Sequence, residues 1–196
     1  GTAYVAKSAP ADGHTLLFIP SGYAVNPSLY PALPYDQARD LAAVTQLVSG
    51  PLTLVVHPSL PAKNVRELIG LAKTRPGQLN YASGSTGSTP HLAAELFKAL
   101  AHVDIVRISY KGSGPALNDL IGGQVQMMFA SAGAVGPHVK SGRLRALAVS
   151  SLKPSLLAPG LPTIAASGIP GFVTLGLYPM FAPAATPAPI VDRLHQ

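Results

Sequence analysis

The strongest constraint in this sequence is an alternation. Short apolar runs of four to six residues alternate with stretches of helical spacing, with polar turns between them. Thr15–Ile19 (TLLFI) follows the turn signal Ala11-Asp12-Gly13, and Leu52–Val56 (LTLVV) ends at His57-Pro58; both have the length and composition of buried strands. Leu79–Ala82, Val103–Ile108, Val125–Phe129 and Leu144–Val149 are further strand candidates. Between them the period changes. Asn64–Thr74 predicts a helix with Asn64 as its cap, Glu67 at the capping-box position and Leu68, Ile69, Leu71 and Ala72 as its buried stripe. Helices are also expected from Pro90 through Leu100, from Lys111–Pro115 to Gly122-Gly123 with Leu117, Leu120 and Ile121 on one face, and around Ala134–Lys140. Strands alternating with helices demand an α/β fold with a largely parallel sheet. The 20 prolines and 19 glycines fall between the runs and punctuate them.

Composition narrows the function classes. With 47% hydrophobic and 11% charged residues in 196, the chain can bury a core and is not of the disordered class. It has no cysteine, which removes disulfides and thiolate metal sites. No apolar run approaches the roughly 18 residues of a membrane span, and no basic-then-apolar leader opens the sequence. The net charge of +6 comes as much from a shortage of acids, eight in all, as from its fourteen Lys and Arg. Those cations are scattered, without a basic stripe interleaved with aromatics. The expected partner is therefore a small anion and not a nucleic acid.

One loop stands out. Ser83 to Thr89 (SGSTGST) are all Gly, Ser or Thr, between the strand Leu79–Ala82 and the helix that starts at Pro90. In open parallel sheets, ligands sit at the carboxyl ends of strands, where loops enter helices. Gly84 and Gly87 allow close approach, Ser88 or Thr89 can cap, and backbone N–H groups, hydroxyls and the helix dipole all favour an anion. The Gly-Lys-Ser/Thr of a P-loop is absent and the dinucleotide glycine spacing fails. A carboxylate suits a neutral nest without lysine; the bland alternative is a capped helix after a flexible turn. Ser109–Gly114 repeats the arrangement, with Tyr110 and Lys111 as candidates to face the same cleft and a surface lysine as the ordinary reading of Lys111. Ser131–Gly136 is a third such loop, ahead of a short helix containing His138.

Catalysis is not indicated. GSTGS has the wrong order for a Gly-x-Ser-x-Gly elbow. His91 and Glu95 stand one turn apart but have no third metal ligand nearby, and the other histidines form no zinc pattern. No enzyme activity, metal or cofactor is expected. The aromatic, proline-rich stretch YAVNPSLYPALPYD, with Tyr23, Tyr30 and Tyr35, suits either an interface or an ordered loop on its own lobe. LTLVVHPSLP and LGLYPMFAP, apolar and flanked by Pro and Gly, are read as passages between two lobes. Both ends read as cut, the first within a helix tail and the last within the opening turns of another.

Several motifs in order then resemble a known family. YASGSTGSTPHLAAELF, ISYKGSGPALNDLIGGQVQMMFAS and PHVKSGRLRALAVSS are similar to the receptors of tripartite tricarboxylate transporters, the Bug or TctC family. ADGHTLLF, NPSLYPALPYD, LPTIAASGIPGF and FAPAATPAPIV match as well, so the resemblance covers nearly the whole chain. It implies a type II periplasmic-binding fold: two lobes with mainly parallel sheets, a hinge of two crossing segments, and closure on a small carboxylate. Carried over residue by residue, it places Ser83, Gly84, Ser85, Thr86, Gly87 and Ser88 at one carboxylate, with His91 on the following helix. Ala130 stands where many members have an Asp near the far end of the ligand, and Ser131 follows it; losing that anion favours a plain or second carboxylate over an amino-bearing ligand. On this reading residues 1–53 and 173–196 are remnants of the first lobe and 54–172 a nearly complete second lobe. The other jaw of the clamp would precede Gly1. The implied function is a periplasmic receptor that delivers a dicarboxylate or related organic acid to membrane permease subunits. The alternative is an interaction or sensor module on the same lobe without its own ligand, and an exposed face left by truncation would promote self-association.

Overall fold

The computed structural model describes the backbone of residues 1–196 and every side chain except that of Ser21. The chain opens with α1 (Thr2–Lys7), the two-residue β1 (Leu17–Phe18), α2 (Asn26–Leu29) and the long β2 (Leu41–Val56). There follow α3 (Val65–Thr74), β3 (Asn80–Ser83), α4 (Thr89–Ala101), β4 (Val106–Ser109), α5 (Ser113–Ile121), β5 (Met127–Ser131), α6 (Ala132–Lys140) and β6 (Arg145–Val149). β7 (Leu175–Pro183) and α7 (Ala188–His195) end it. The backbone gathers into two units, Gly1–Ser49 with Gly176–Gln196 and Gly50–Leu175, and the chain passes between them inside β2 and β7.

The larger unit is built on five strands in the order β6-β2-β5-β3-β4. β3 is parallel to β4 and to β5, with Ser83 opposite Ser109 and Ala82 opposite Met128. β5 and β6 both run antiparallel to the second half of β2, so four of the five strands point the same way. Side chains alternate across this sheet. Tyr81, Met127 and Phe129 join Leu54, Val56 and the buried faces of α3 and α4; Ala82, Met128 and Ala130 join Val55, Ala116 and Leu120 of α5 and Val135 of α6. Helices on both faces explain why the strands read as unbroken apolar runs. Phe97, Phe129 and Phe172 pack ring on ring, with centroids 6.0 to 6.4 Å apart.

α3 begins as its sequence dictates: Asn64 Oδ1 accepts the Glu67 amide at 2.9 Å, and the Glu67 carboxylate accepts the Lys63 amide at 2.7 Å. Strand bounds move more. β4 and β5 lie two to three residues later than the apolar runs at Val103 and Val125 suggest, because Val103, Ile105 and Val125 sink into the cores before the ladders begin. The expected strand Thr15–Ile19 shrinks to two residues paired with Phe181 and Met180 of β7. β2 extends eleven residues ahead of Leu52, through a stretch whose polar Thr45, Gln46 and Ser49 concealed it.

In the smaller unit, Val5, Leu17 and Leu41 form the buried cluster, joined by Ile19, Tyr23 and Phe181. Lys7 Nζ pairs with Asp40 at 2.6 Å, and His195 Nδ1 lies 2.9 Å from the Val44 carbonyl. Gly13 has φ +84°, and a Cβ there would collide with Ile190 Cγ2, so only glycine fits under α7. No helix among the described residues is long and apolar enough to cross a membrane.

Candidate functional site

Because β5, β3 and β4 are parallel neighbours, their carboxyl ends bring the three Ser/Gly-rich loops to one edge of the sheet. The loop Ser83–Thr89 leaves the middle strand. Ser109–Gly114 flanks it closely: a Cβ on Gly84 would stand 3.7 Å from the Gly112 Cα and 4.0 Å from the Ser113 nitrogen. Ser131 leads from β5 into α6 and is exposed.

In the first half of the central loop the carbonyls of Ser83, Gly84 and Ser85 are occupied and the amides that follow them are not. Tyr110 N–H donates to the Ser83 carbonyl at 2.9 Å and Ser88 N–H to the Ser85 carbonyl at 3.1 Å. Arg107 Nη2 donates to the Gly84 carbonyl at 2.8 Å. The amides of Gly84, Ser85 and Thr86 have no protein partner among the described residues. Ser85 and Thr86 are exposed, and the loop leads into the positive end of α4. A cluster of unpaired donors with no carboxylate in the loop can hold a small anion.

The other expected residues divide by what they touch. Gly87 has φ +80°, and its N–H is taken by His91 Nδ1 at 3.1 Å, so this amide braces the loop and does not reach outward. His91 must be neutral at Nδ1 to accept it; burial, aided by the Arg107 charge and opposed by Glu95, depresses its pKa below the ordinary value. Ser83 is fully buried and its Oγ accepts from Arg107 Nε at 2.8 Å. Ser88 is the N-cap residue, yet its Oγ is buried without a partner and makes no cap bond. Tyr110 does not present its hydroxyl to the site. It donates to Asp119 Oδ2 of α5 at 2.7 Å, and burial together with that carboxylate pushes its pKa up to about 12. Lys111 is exposed and makes no ion pair among the described residues. Ala130 is 5% exposed, packed with Val55 and Met128 against α5 and α6.

Arg107 escaped the sequence reading. From β4 its guanidinium reaches Ser83 Oγ, the Gly84 carbonyl, Thr86 Oγ1 at 3.0 Å and Ser109 Oγ at 3.5 Å. An arginine alternating with apolar residues in VRIS was the available signal, but its role depends on the register that sets Arg107 opposite Tyr81. The pairing of His91 with Glu95 as metal ligands dissolves: Glu95 is held by Tyr81 Oη at 2.5 Å and Lys98 Nζ at 3.0 Å. No group of three or more His, Asp or Glu among the described residues could hold a metal ion.

Comparison with known proteins places the chain in a family. The family described as "Tripartite tricarboxylate transporter family receptor" matches residues 1–196. Protein BugT of Bordetella pertussis is 41% identical over 198 residues, covering all of this chain and 60% of that protein. The solved structure of R. palustris Rpa4515 with adipate superposes with a TM-score of 0.91 at 39% identity, covering 98% of this chain and 64% of that one. The periplasmic binding protein BugD gives 0.88 at 33% identity, covering 99% and 64%. The chain thus spans under two thirds of the length of these relatives.

Proposed function

The chain belongs to the receptor family of tripartite tricarboxylate transporters, and from that premise we propose that it captures a small organic carboxylate, a dicarboxylate or related acid, on the loop Ser83–Thr89. One observation carries the reading: successive amides at Gly84, Ser85 and Thr86 are left unpaired while the carbonyls before them are all engaged. The adipate held by a relative of 39% identity supports the ligand class. The proteins it matches are binding proteins and not enzymes.

In this reading the Ser85 and Thr86 amides and the Ser85 hydroxyl hold one carboxylate, while the Thr86 hydroxyl is held by Arg107. Ser83, Gly84, Gly87, Ser88 and His91 shape the loop, and Lys111 and Ser131, on the flanking loops, supply a cation and a hydroxyl to the rest of the ligand. Tyr110 and Ala130 form the wall behind them. Residues 54–172 are read as one lobe of the receptor and 1–53 with 173–196 as part of the other. The setting is the periplasm, and the partner is the membrane permease of the same transporter.

Isothermal titration with acetate, succinate, adipate, citrate, glutamate and phosphate tests this. The expected result is saturable heat with one of the carboxylates, weakened about tenfold or more in Ser85→Ala/Thr86→Ala as the Ser85 donor and the Thr86 anchor to Arg107 are lost. Binding of phosphate in preference to every carboxylate would overturn the ligand class, and silence across the panel would leave a lobe that serves as an interaction module.

A further inference from the structure

In a trans peptide the N–H of one residue points opposite to the carbonyl of the residue before it, and no peptide bond among the described residues is cis. The direction of three amides is therefore set by whatever holds three carbonyls. Gly84 N–H lies opposite the Ser83 carbonyl and Thr86 N–H opposite the Ser85 carbonyl, and both of those carbonyls are held by main-chain donors. Ser85 N–H lies opposite the Gly84 carbonyl, which is held by the Arg107 side chain at 2.8 Å.

This middle anchor is also where the backbone is freest, since Gly84 has no Cβ to limit it. Were the Gly84–Ser85 peptide to turn over, the site would present a carbonyl oxygen to an anion in place of an amide. The guanidinium is placed to prevent that. Its planar fork takes Ser83 Oγ through Nε, the Gly84 carbonyl through Nη2 and Thr86 Oγ1 through Nη1, so one rigid group spans the loop. The fourth contact, Ser109 Oγ at 3.5 Å, belongs to the strand that carries it.

We propose that Arg107 is the positioning residue for carboxylate capture: by fastening the Gly84 carbonyl and the Ser83 and Thr86 hydroxyls behind the loop, it aims the Ser85 and Thr86 amides at the ligand. The consequence for binding rests on the carboxylate reading above; the consequence for the loop does not. Arg107 acts through other groups and does not itself contact the ligand.

Arg107→Lys and Arg107→Gln test the proposal with two readouts. The first is the amide resonances and hydrogen exchange of Ser85 and Thr86 in the free protein; the second is the dissociation constant for adipate. In both variants these amides are expected to shift and to exchange differently while those of Tyr81 and Phe97 stay in place. Adipate binding weakens about 10- to 100-fold, the worth of one or two charge-assisted hydrogen bonds. Lysine rescues little, because an ammonium is a point charge without the fork. Wild-type affinity in Arg107→Lys would show that charge alone is needed and overturn positioning. So would unmoved Ser85 and Thr86 amides in both variants, even if adipate binds the wild type. Moved amides in a protein that takes no adipate would instead sink the carboxylate reading and leave positioning standing. Should Arg107→Gln not fold, Ser83→Ala/Thr86→Val removes two of the acceptors with Arg107 intact, and smaller shifts of the same two amides are expected.

Discussion

His91 shows how a residue beside a site can act through the backbone. Its Nδ1 accepts the Gly87 N–H only while the ring is unprotonated. Burial and the Arg107 charge lower its pKa in the fold, with Lys98 acting in the same direction and Glu95 against it. A histidine depressed in the folded state binds fewer protons there than when unfolded, so its contribution to stability is present above the unfolded value of 6.5 and is lost as pH falls through the folded value. The unfolding midpoint is therefore expected to drop as pH goes from about 7.5 to 5, along with protection of the Gly87 amide. His91→Asn keeps an acceptor in reach without titrating and should flatten both trends; an unchanged pH profile in that variant would remove His91 from the cause. At this scale the sequence was legible where chemistry is composition. Seven small polar residues before a helix announce a donor-rich loop, whichever of them meets the ligand. It was illegible where chemistry is direction: nothing in Ser88, Tyr110 or Arg107 as letters says that one hydroxyl is buried, another is spent on Asp119, and a guanidinium holds the loop.

The helix that carries the site is itself tied to the sheet by a polar contact. Tyr81, fully buried in β3, donates to Glu95 Oε1 of α4 at 2.5 Å, and Lys98 reaches the same carboxylate and lies 5.7 Å from the Tyr81 ring centroid. Burial would raise the Glu95 carboxyl, but the hydrogen bonds from Tyr81 and Lys98 outweigh it and hold the group below its usual range. Burial and the same carboxylate hold the Tyr81 phenol well above its own. Glu95→Ala leaves the phenol without an acceptor inside the core and is expected to cost about 1–3 kcal/mol, measured by urea unfolding. Tyr81→Phe/Glu95→Ala should recover much of that loss, because no buried hydroxyl is then stranded; an equal loss in the double variant would mean that Glu95 acts only through the helix. Elements of this kind were legible by period and punctuation: α3 from Asn64 and Glu67, α4 from Pro90 onward, α5 from the Gly-Ser-Gly-Pro that opens it. Strand bounds were not, because an apolar residue that enters a core ahead of its ladder has the same letters as one within it, as Val103 and Val125 do.

At the scale of the molecule, β2 joins two regions of very different burial within one continuous strand. From Leu52 to Val56 every residue is buried, with Leu54, Val55 and Val56 at 0% exposure between two antiparallel neighbours. From Thr45 to Ser49 the strand is largely open, with Leu47 and Val48 more than half exposed. The unit containing the first half has a small buried cluster around Val5, Leu17 and Leu41, whereas the unit containing the second has two large ones. Opening free energies follow buried contacts, so hydrogen exchange along β2 should not be uniform. Amides of Leu54–Val56 are expected to exchange only with global unfolding and those of Thr45–Ser49 through local opening, at least about a hundredfold faster. Loss of that step, with both halves exchanging at one rate, would mean that the chain unfolds as a single cooperative body. The step matters for the site because the Ser83–Thr89 loop hangs from β3, in the unit with the large cores. A donor set fixed on well-packed strands would meet the carboxylate proposed above without first having to order itself.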